Sequence, residues 1–204
     1  MKKLLFAALP VAVIALMALK TGGDPLPIGS PIPNAEVKMK EIGGGDVSFK
    51  DAMKKNGLLV MFSCNTCPVV KKYQARVNEL CKYALDNEIG VILLNPNEAY
   101  RNNGDSYEDS KDYGKKNSFS WYYVMDDNSV MADAFGANRT PECFLFDANA
   151  KLAYHGAIDD NSGNPEEVTR KHAIVAIDEL VAGKEITKKE TKSVGCTIKR
   201  KKTE

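Results

Sequence analysis

Cys64-Asn65-Thr66-Cys67, preceded by the apolar run Leu58-Leu59-Val60-Met61-Phe62 and followed by Pro68, is the stretch of this 204-residue chain whose residue types and spacing could do chemistry. Two thiols with two residues between them can alternate between dithiol and disulfide, because the second can attack a mixed disulfide formed by the first. The apolar run predicts a strand and the residues after Pro68 a helix. Backbone N–H groups at a helix start, together with the helix dipole, favour a thiolate, so the spacing predicts a lowered pKa for Cys64. Half of a zinc site has the same spacing. The passage from strand to helix is what favours redox chemistry over metal binding.

The remaining cysteines are Cys81, Cys143 and Cys196, which makes five in all, an odd number. Cys81 falls four residues after Val77 on an apolar helical stripe and reads as a buried, inert thiol. Cys143 stands two residues past Pro141 in a core strand and reads as packing. Cys196 sits in a polar stretch that offers no packing reason for it. A disulfide to a partner cysteine, a third redox thiol and a free exposed thiol all remain open for it. His155 and His172 are the only histidines and read as boundary residues. No metal-ligand spacing beyond the single C-x-x-C is present, and neither a metal nor another cofactor is expected.

The elements that must position the thiols follow from periodicity. Val37–Ile42 and Val47–Phe49 flank Gly43-Gly44-Gly45-Asp46 and predict a hairpin. Asp51–Lys55 predicts a helical turn ended by Gly57. Leu58–Phe62 shows no alternation, as expected for a strand buried on both faces. After Pro68, Val69, Val70, Tyr73, Val77, Leu80, Ala84 and Leu85 recur at three- and four-residue steps and predict an amphipathic helix. Val91–Leu94 is a second buried strand and residues 95–105 a polar loop. Ser106 with Asp109 predicts a capping box for a helix to about Lys116. Tyr122–Met125 is a short strand, Ser129–Phe135 a short helix, and Phe144–Phe146 and Leu152–His155 two strands joined by a turn. Asn164 as N-cap, Pro165 at the first position and Gly183 past the end predict a final helix. Residues 184–204 show little periodicity. The resulting alternation of strands and helices, with the C-x-x-C after a central strand, predicts an α/β fold of the thioredoxin-like kind, a three-layer α/β/α sandwich around a mixed central sheet.

Residues 1–20 predict a targeting segment, with basic Lys2 and Lys3 before the apolar run Leu4–Leu19, which Pro10 interrupts. An uncleaved N-terminal anchor is the competing reading. Gly- and Pro-rich residues 21–35 read as a linker, 36–183 as one domain and 184–204 as a C-terminal tail. Removing Lys2, Lys3 and Lys20 from the 28 basic residues leaves 25 against 27 acidic ones, which gives no electrostatic footprint for nucleic acid. Export to the periplasm or beyond, with membrane contact only through an N-terminal anchor, is the expected location. In that oxidising compartment a C-x-x-C pair needs an oxidising task or a dedicated electron supply.

Leu58–Pro68 (LLVMFSCNTCP), Arg139–Asp147 (RTPECFLFD), Tyr154–Asp160 (YHGAIDD) and Gly195–Lys199 (GCTIK) together resemble the peroxiredoxin-like, or redoxin-domain, branch of the thioredoxin superfamily. The resemblance runs in order from about Pro25 to Lys199. It implies a thioredoxin fold and thiol–disulfide chemistry on disulfide-containing or dithiol substrates, with a redox partner protein. By this likeness Cys64 is the nucleophile and Cys67 the resolving thiol. Thr140-Pro141 matches the cis-proline loop, where the Thr140 backbone can pair with an extended substrate beside the sulfurs. Cys196 matches a recurrent tail cysteine and is a possible additional redox residue. Peroxidases of the branch carry Thr or Ser three residues before the peroxidatic cysteine and Pro seven before it. Here Met61 and Gly57 stand in those places before Cys64, and Cys64 and Val60 before Cys67. The expected function is therefore thiol–disulfide exchange. A copper-binding module using Cys64 and Cys67 with His155 or another thiol, and a peroxiredoxin-like antioxidant, are its rivals.

Overall fold

The computed structural model describes residues 23–201; the expected targeting segment at 1–20 and the last three residues lie outside them. Two short strands, β1 (Met39–Lys40) and β2 (Asp46–Val47), pair antiparallel across the glycine turn. Helix α1 (Phe49–Ala52) opens with Ser48, whose hydroxyl accepts the Asp51 N–H while the Asp51 carboxylate accepts from Ser48 in return. That reciprocal pairing moves the helix ahead of the expected 51–55, because the cap satisfies the orphan N–H groups earlier. Strand β3 (Gly57–Phe62) follows, then helix α2 (Pro68–Asp86) and strand β4 (Ile89–Asn95). Helix α3 (Tyr107–Lys116) starts at the expected Ser106–Asp109 capping box. Strand β5 (Tyr122–Met125) and helix α4 (Val130–Phe135) lead to strands β6 (Arg139–Thr140), β7 (Glu142–Phe146) and β8 (Leu152–Gly156). Helix α5 (His172–Val181) and strand β9 (Cys196–Thr197) are the last elements among the described residues.

The central sheet has the order β5-β4-β3-β7-β8, with β3, β4 and β5 parallel and β7 antiparallel to both its neighbours. Alternation along β3 sends Leu59 and Met61 to one face and Leu58, Val60 and Phe62 to the other, and none of these five side chains is exposed. The first face packs under Tyr73, Val77, Leu80 and Ala84 of α2 and Ala173, Ala176 and Ile177 of α5. The second meets α1 and α4 through Phe49, Phe62, Phe135, Phe144 and Phe146, whose rings touch edge-on or tilted at 5.2–5.8 Å. A strand apolar on both faces is thus required by helices on both faces. The fold is the expected thioredoxin-like α/β/α sandwich with a mixed sheet.

Two expectations are corrected. Asn164 does cap a turn, its carboxamide oxygen accepting the Glu166 N–H, but Pro165–Glu167 forms one 3-10 turn only, and α5 begins at His172. The Asp160 carboxylate takes both the N–H and the hydroxyl of Thr169, and the Asp160 N–H bonds the Arg170 carbonyl, pulling that backbone off the helical path. The tail, unreadable from periodicity, is pinned along the molecule. The His155 N–H donates to Lys189 O at 2.9 Å and the Thr191 N–H to His155 O at 3.0 Å. Further on, Ile198 is buried and the Ala99 N–H donates to Lys199 O at 2.8 Å.

Candidate active site

β3 ends at Phe62 and α2 starts at Pro68, so the Cys64–Cys67 loop emerges at the carboxyl end of the central strand. Cys67 is the N-cap residue of α2, in extended conformation, and Pro68 fits the first helical position, where an N–H is dispensable. The helix terminus therefore faces Cys67 more directly than Cys64, which differs from the expectation.

The loop is held by an acid that its own strand does not supply. Asp105, fully buried, accepts four hydrogen bonds. The Asn65 N–H (2.7 Å) and Asn95 Nδ2 (3.0 Å) donate to one oxygen, the Thr66 hydroxyl (2.6 Å) and Asn97 Nδ2 (2.9 Å) to the other. Asn65 is fixed from its far side too, donating to Ser110 Oγ and Gly104 O and accepting the Tyr123 hydroxyl at 2.9 Å. The two residues between the cysteines are thus bolted to the loop before α3 and to the α3 face. A buried carboxylate with all its acceptor positions filled is the arrangement that makes such an anchor stable.

The second wall is the cis Thr140-Pro141 bond, which matches the expectation for these residues. Its loop is shaped by Glu142, buried in β7. One Glu142 oxygen accepts the Asn138 and Arg139 N–H groups at 2.8 and 2.9 Å; the other meets His155 Nε2 at 2.8 Å. His155, stacked on Phe144 and bound to Glu142, is held in the sheet and is not offered to the cysteines. The copper arrangement with His155 is corrected on that ground. Among the described residues no group of three or more His, Cys, Asp or Glu could hold a metal ion.

Between these walls Cys64, Cys67 and Val70 form one apolar cluster, with Cys196 packed against it. Cys67 and Cys196 are joined by a disulfide, with Cα atoms 6.0 Å apart, within the range such bonds require. Cys196 is therefore bonded to a partner cysteine and is not a free exposed thiol. Cys64, Cys81 and Cys143 are free and buried. The Cys64 sulfur lies 3.3 Å from Thr140 Oγ1, and the Thr66 and Cys67 N–H groups also favour its thiolate. Burial outweighs them: with no exposed surface, the Cys64 thiol is pushed above the ordinary cysteine range, and the negative Asp105 adds to the rise. The expected lowered pKa for Cys64 is overturned for this disulfide state. Burial likewise pushes the Cys81 and Cys143 thiols up, as expected for packing residues.

The tail supplies the third wall. β9 pairs antiparallel with β6, with Thr140 opposite Cys196 and Arg139 opposite Thr197. The Thr140 backbone, expected to receive an extended substrate, here receives the chain's own C-terminal strand. Asp105, Glu142 and this strand are what sequence reasoning missed. Glu142 had a signal, a lone acid directly before the apolar run Cys143–Phe146; Asp105, within a loop already polar, had none.

A model of the AhpC/TSA family matches residues 28–155. A solved structure of an uncharacterized conserved protein from Geobacillus kaustophilus is 28% identical, with a TM-score of 0.80 over 87% of this chain and 94% of that one. A hypothetical protein from Sinorhizobium meliloti 1021 is 26% identical, with a TM-score of 0.79 over 87% of this chain and 97% of that one. The PrxQ of Xylella fastidiosa, solved as a cysteine-to-serine mutant, shares the fold at 15% identity, with a TM-score of 0.57 over 79% of this chain and 99% of that one. No curated protein matches.

Proposed function

The chain belongs to the AhpC/TSA family, and on that premise we propose that it is an exported thiol–disulfide oxidoreductase in which Cys64 and Cys67 form the exchanging pair and Cys196 a third redox thiol. The observation that carries the reading is the Cys67–Cys196 disulfide beside a reduced Cys64 in one sulfur cluster under the Thr140 loop. In the reduced enzyme the Cys64 thiolate attacks a substrate disulfide. Cys67 then attacks the Cys64 sulfur of the mixed species, releasing the second substrate thiol and leaving Cys64–Cys67 oxidised. Attack of the Cys196 thiolate on Cys67 releases Cys64 as a thiol and gives the arrangement observed. An external dithiol from a redox partner closes the cycle at Cys196, the partly exposed residue of the three, with Cys67 leaving as a thiolate at the α2 N-terminus. A leaving thiolate stabilised in this way departs faster. The basic-then-apolar sequence of residues 2–19 and the disulfide support the oxidising, exported location.

The test is turnover of a disulfide-linked peptide with dithiothreitol as electron source. Activity lost in both Cys64→Ser and Cys67→Ser is expected; activity retained in Cys64→Ser removes Cys64 as nucleophile.

One observation favours a second reading: the bond joins Cys196 to Cys67, bypassing Cys64. If Cys67 were oxidised by a hydroperoxide to a sulfenic acid, Cys196 could condense with it, releasing water. Val60 and Cys64 in place of the Pro and the Thr or Ser of the peroxidases speak against it. Hydrogen peroxide consumption by Cys64→Ser, dependent on Cys67 and Cys196, would establish it.

A further inference from the structure

The β9 strand lies on the Thr140 edge while its flanks are fastened elsewhere. Upstream, Thr191 is bound three ways: its N–H to His155 O at 3.0 Å, and its hydroxyl to the Ala157 N–H at 2.9 Å and the Tyr154 hydroxyl at 2.6 Å. Downstream, the Ile198 side chain is buried, the Lys199 N–H donates to Asn97 Oδ1 at 2.9 Å, and Arg200 pairs with Asp133 at 2.7 Å. Between these anchors residues 192–197 form a strap across the sulfur cluster, with Val194 49% exposed. The strap reaches Thr140 because residue 195 is glycine: a Cβ there would stand 2.2 Å from the Thr140 carbonyl oxygen. Its covalent hold is the single Cys67–Cys196 bond and its backbone hold the two-residue β6–β9 ladder. Cys64 has no exposed surface beneath it, so no external disulfide reaches that sulfur while the strap is down.

We propose that the strap is a tethered stand-in for substrate, occupying the strand position on Thr140 that an extended, cysteine-bearing peptide takes when the strap lifts. The inference rests on the thiol–disulfide reading above and adds the device that gates the Thr140 edge. The covalent latch opens by reduction: an external dithiol attacks the Cys196 sulfur, the Cys67–Cys196 bond breaks with Cys67 leaving as a thiolate that takes up a proton, and the dithiol's second thiol attacks the mixed disulfide and releases Cys196 as a thiol. The dithiol is oxidised to its disulfide and Cys64, Cys67 and Cys196 are left as thiols, so Cys64 is free to attack a peptide disulfide. The freed strand is then held on this edge by its short ladder and by Arg139, which donates to Thr197 Oγ1 at 3.1 Å, and a peptide strand with the same backbone pattern can replace it.

The experiment is steady-state reduction of two extended synthetic peptides joined by one disulfide, followed by fluorescence, with dithiothreitol in excess. Full-length wild type, Gly195→Ala and Cys196→Ser are compared, and the disulfides of each are mapped by mass spectrometry. Gly195→Ala forces the strap from Thr140, and Cys196→Ser removes the latch. An edge covered about nine-tenths of the time weakens apparent affinity about tenfold. A fall in KM of about fivefold or more in Gly195→Ala is therefore expected, together with a shift of its oxidised form from Cys67–Cys196 toward Cys64–Cys67. Cys196→Ser should lower KM in the same direction. An unchanged or higher KM in Gly195→Ala, with the peptide still reduced through Cys64 and Cys67, overturns the gate and leaves the oxidoreductase reading standing. If none of the three proteins reduces the peptide, both fall together.

Discussion

Replacing Asp105 with asparagine should weaken the fold and make Cys64 more acidic at the same time. The two carboxylate oxygens accept four hydrogen bonds, two each, three of them fully buried. A carboxamide keeps one acceptor oxygen and turns an NH2 group toward the other two donors, which are left buried and unpaired. Hydrogen bonds to a charged group contribute about 1.5–3 kcal/mol each, so losing two costs roughly 3–6 kcal/mol. With a urea slope of about 2 kcal/mol/M, the unfolding midpoint of the Cys67–Cys196 oxidised protein should fall by roughly 1.5–3 M. Meanwhile the removed negative charge is one that raises the Cys64 pKa, so the thiol should titrate at lower pH. Thiolate ultraviolet absorbance, with Cys64→Ser as the blank, measures that titration. A midpoint shift below about 0.5 M would show that Asp105 does not anchor the loop. A Cys64 that titrated higher in the variant would show that its acidity is set by something other than burial beside this carboxylate.

Three further outcomes follow from the same geometry. Thr140→Val removes the hydroxyl 3.3 Å from the Cys64 sulfur, which favours its thiolate. Cys64 should then titrate higher and exchange with Cys67 more slowly at fixed pH, with Thr140→Ser restoring both; stopped-flow exchange in the oxidised protein reads this. Glu142→Ala leaves two backbone N–H groups and His155 without their buried partner. It should lower stability by about 3 kcal/mol, read by urea denaturation, and raise KM for the peptide disulfide through a loosened Thr140 loop. Burial pushes the Asp126 carboxyl up to about 7, against the Met131 and Ala132 N–H groups that favour its charge. Its folded pKa is thus above its unfolded one, so its contribution is complete below about pH 4 and is lost as pH rises toward about 7. The loss is at most about 4 kcal/mol. The carboxyl carbon chemical shift of Asp126 should titrate near neutrality, and a midpoint near 4 would refute the shift.

The elements that carry the sulfurs were legible because they obey local rules. β3 is an unbroken apolar run, α2 has an apolar stripe behind Pro68, and Ser106–Asp109 states its cap within four residues. The cis bond at Thr140-Pro141 was legible through family likeness and not from periodicity. What escaped is non-local. The Asp105 anchor joins positions 40 residues apart in the chain, and the disulfide joins positions 129 apart. No pattern within a segment encodes either. The Cys64 acidity runs against its local signals for a related reason: the N–H groups that lower it are local, whereas the burial that raises it includes Thr140 and Cys196, distant in the chain. The start of α5 slipped because Asp160 captures Thr169 from outside the helix.

The central claim is that Cys64, Cys67 and Cys196 form one exchanging set of thiols. Equilibration of the full chain in thiol/disulfide buffers, with alkylation and mass spectrometry reporting each cysteine separately, tests it most directly. Cys67 should exchange as a two-electron couple between about −120 and −270 mV, with its partner divided between Cys64 and Cys196. Cys81 and Cys143 should stay reduced throughout. A Cys67–Cys196 bond that persists well below about −300 mV, with Cys64 never entering a disulfide, would make the bond structural and contradict the claim.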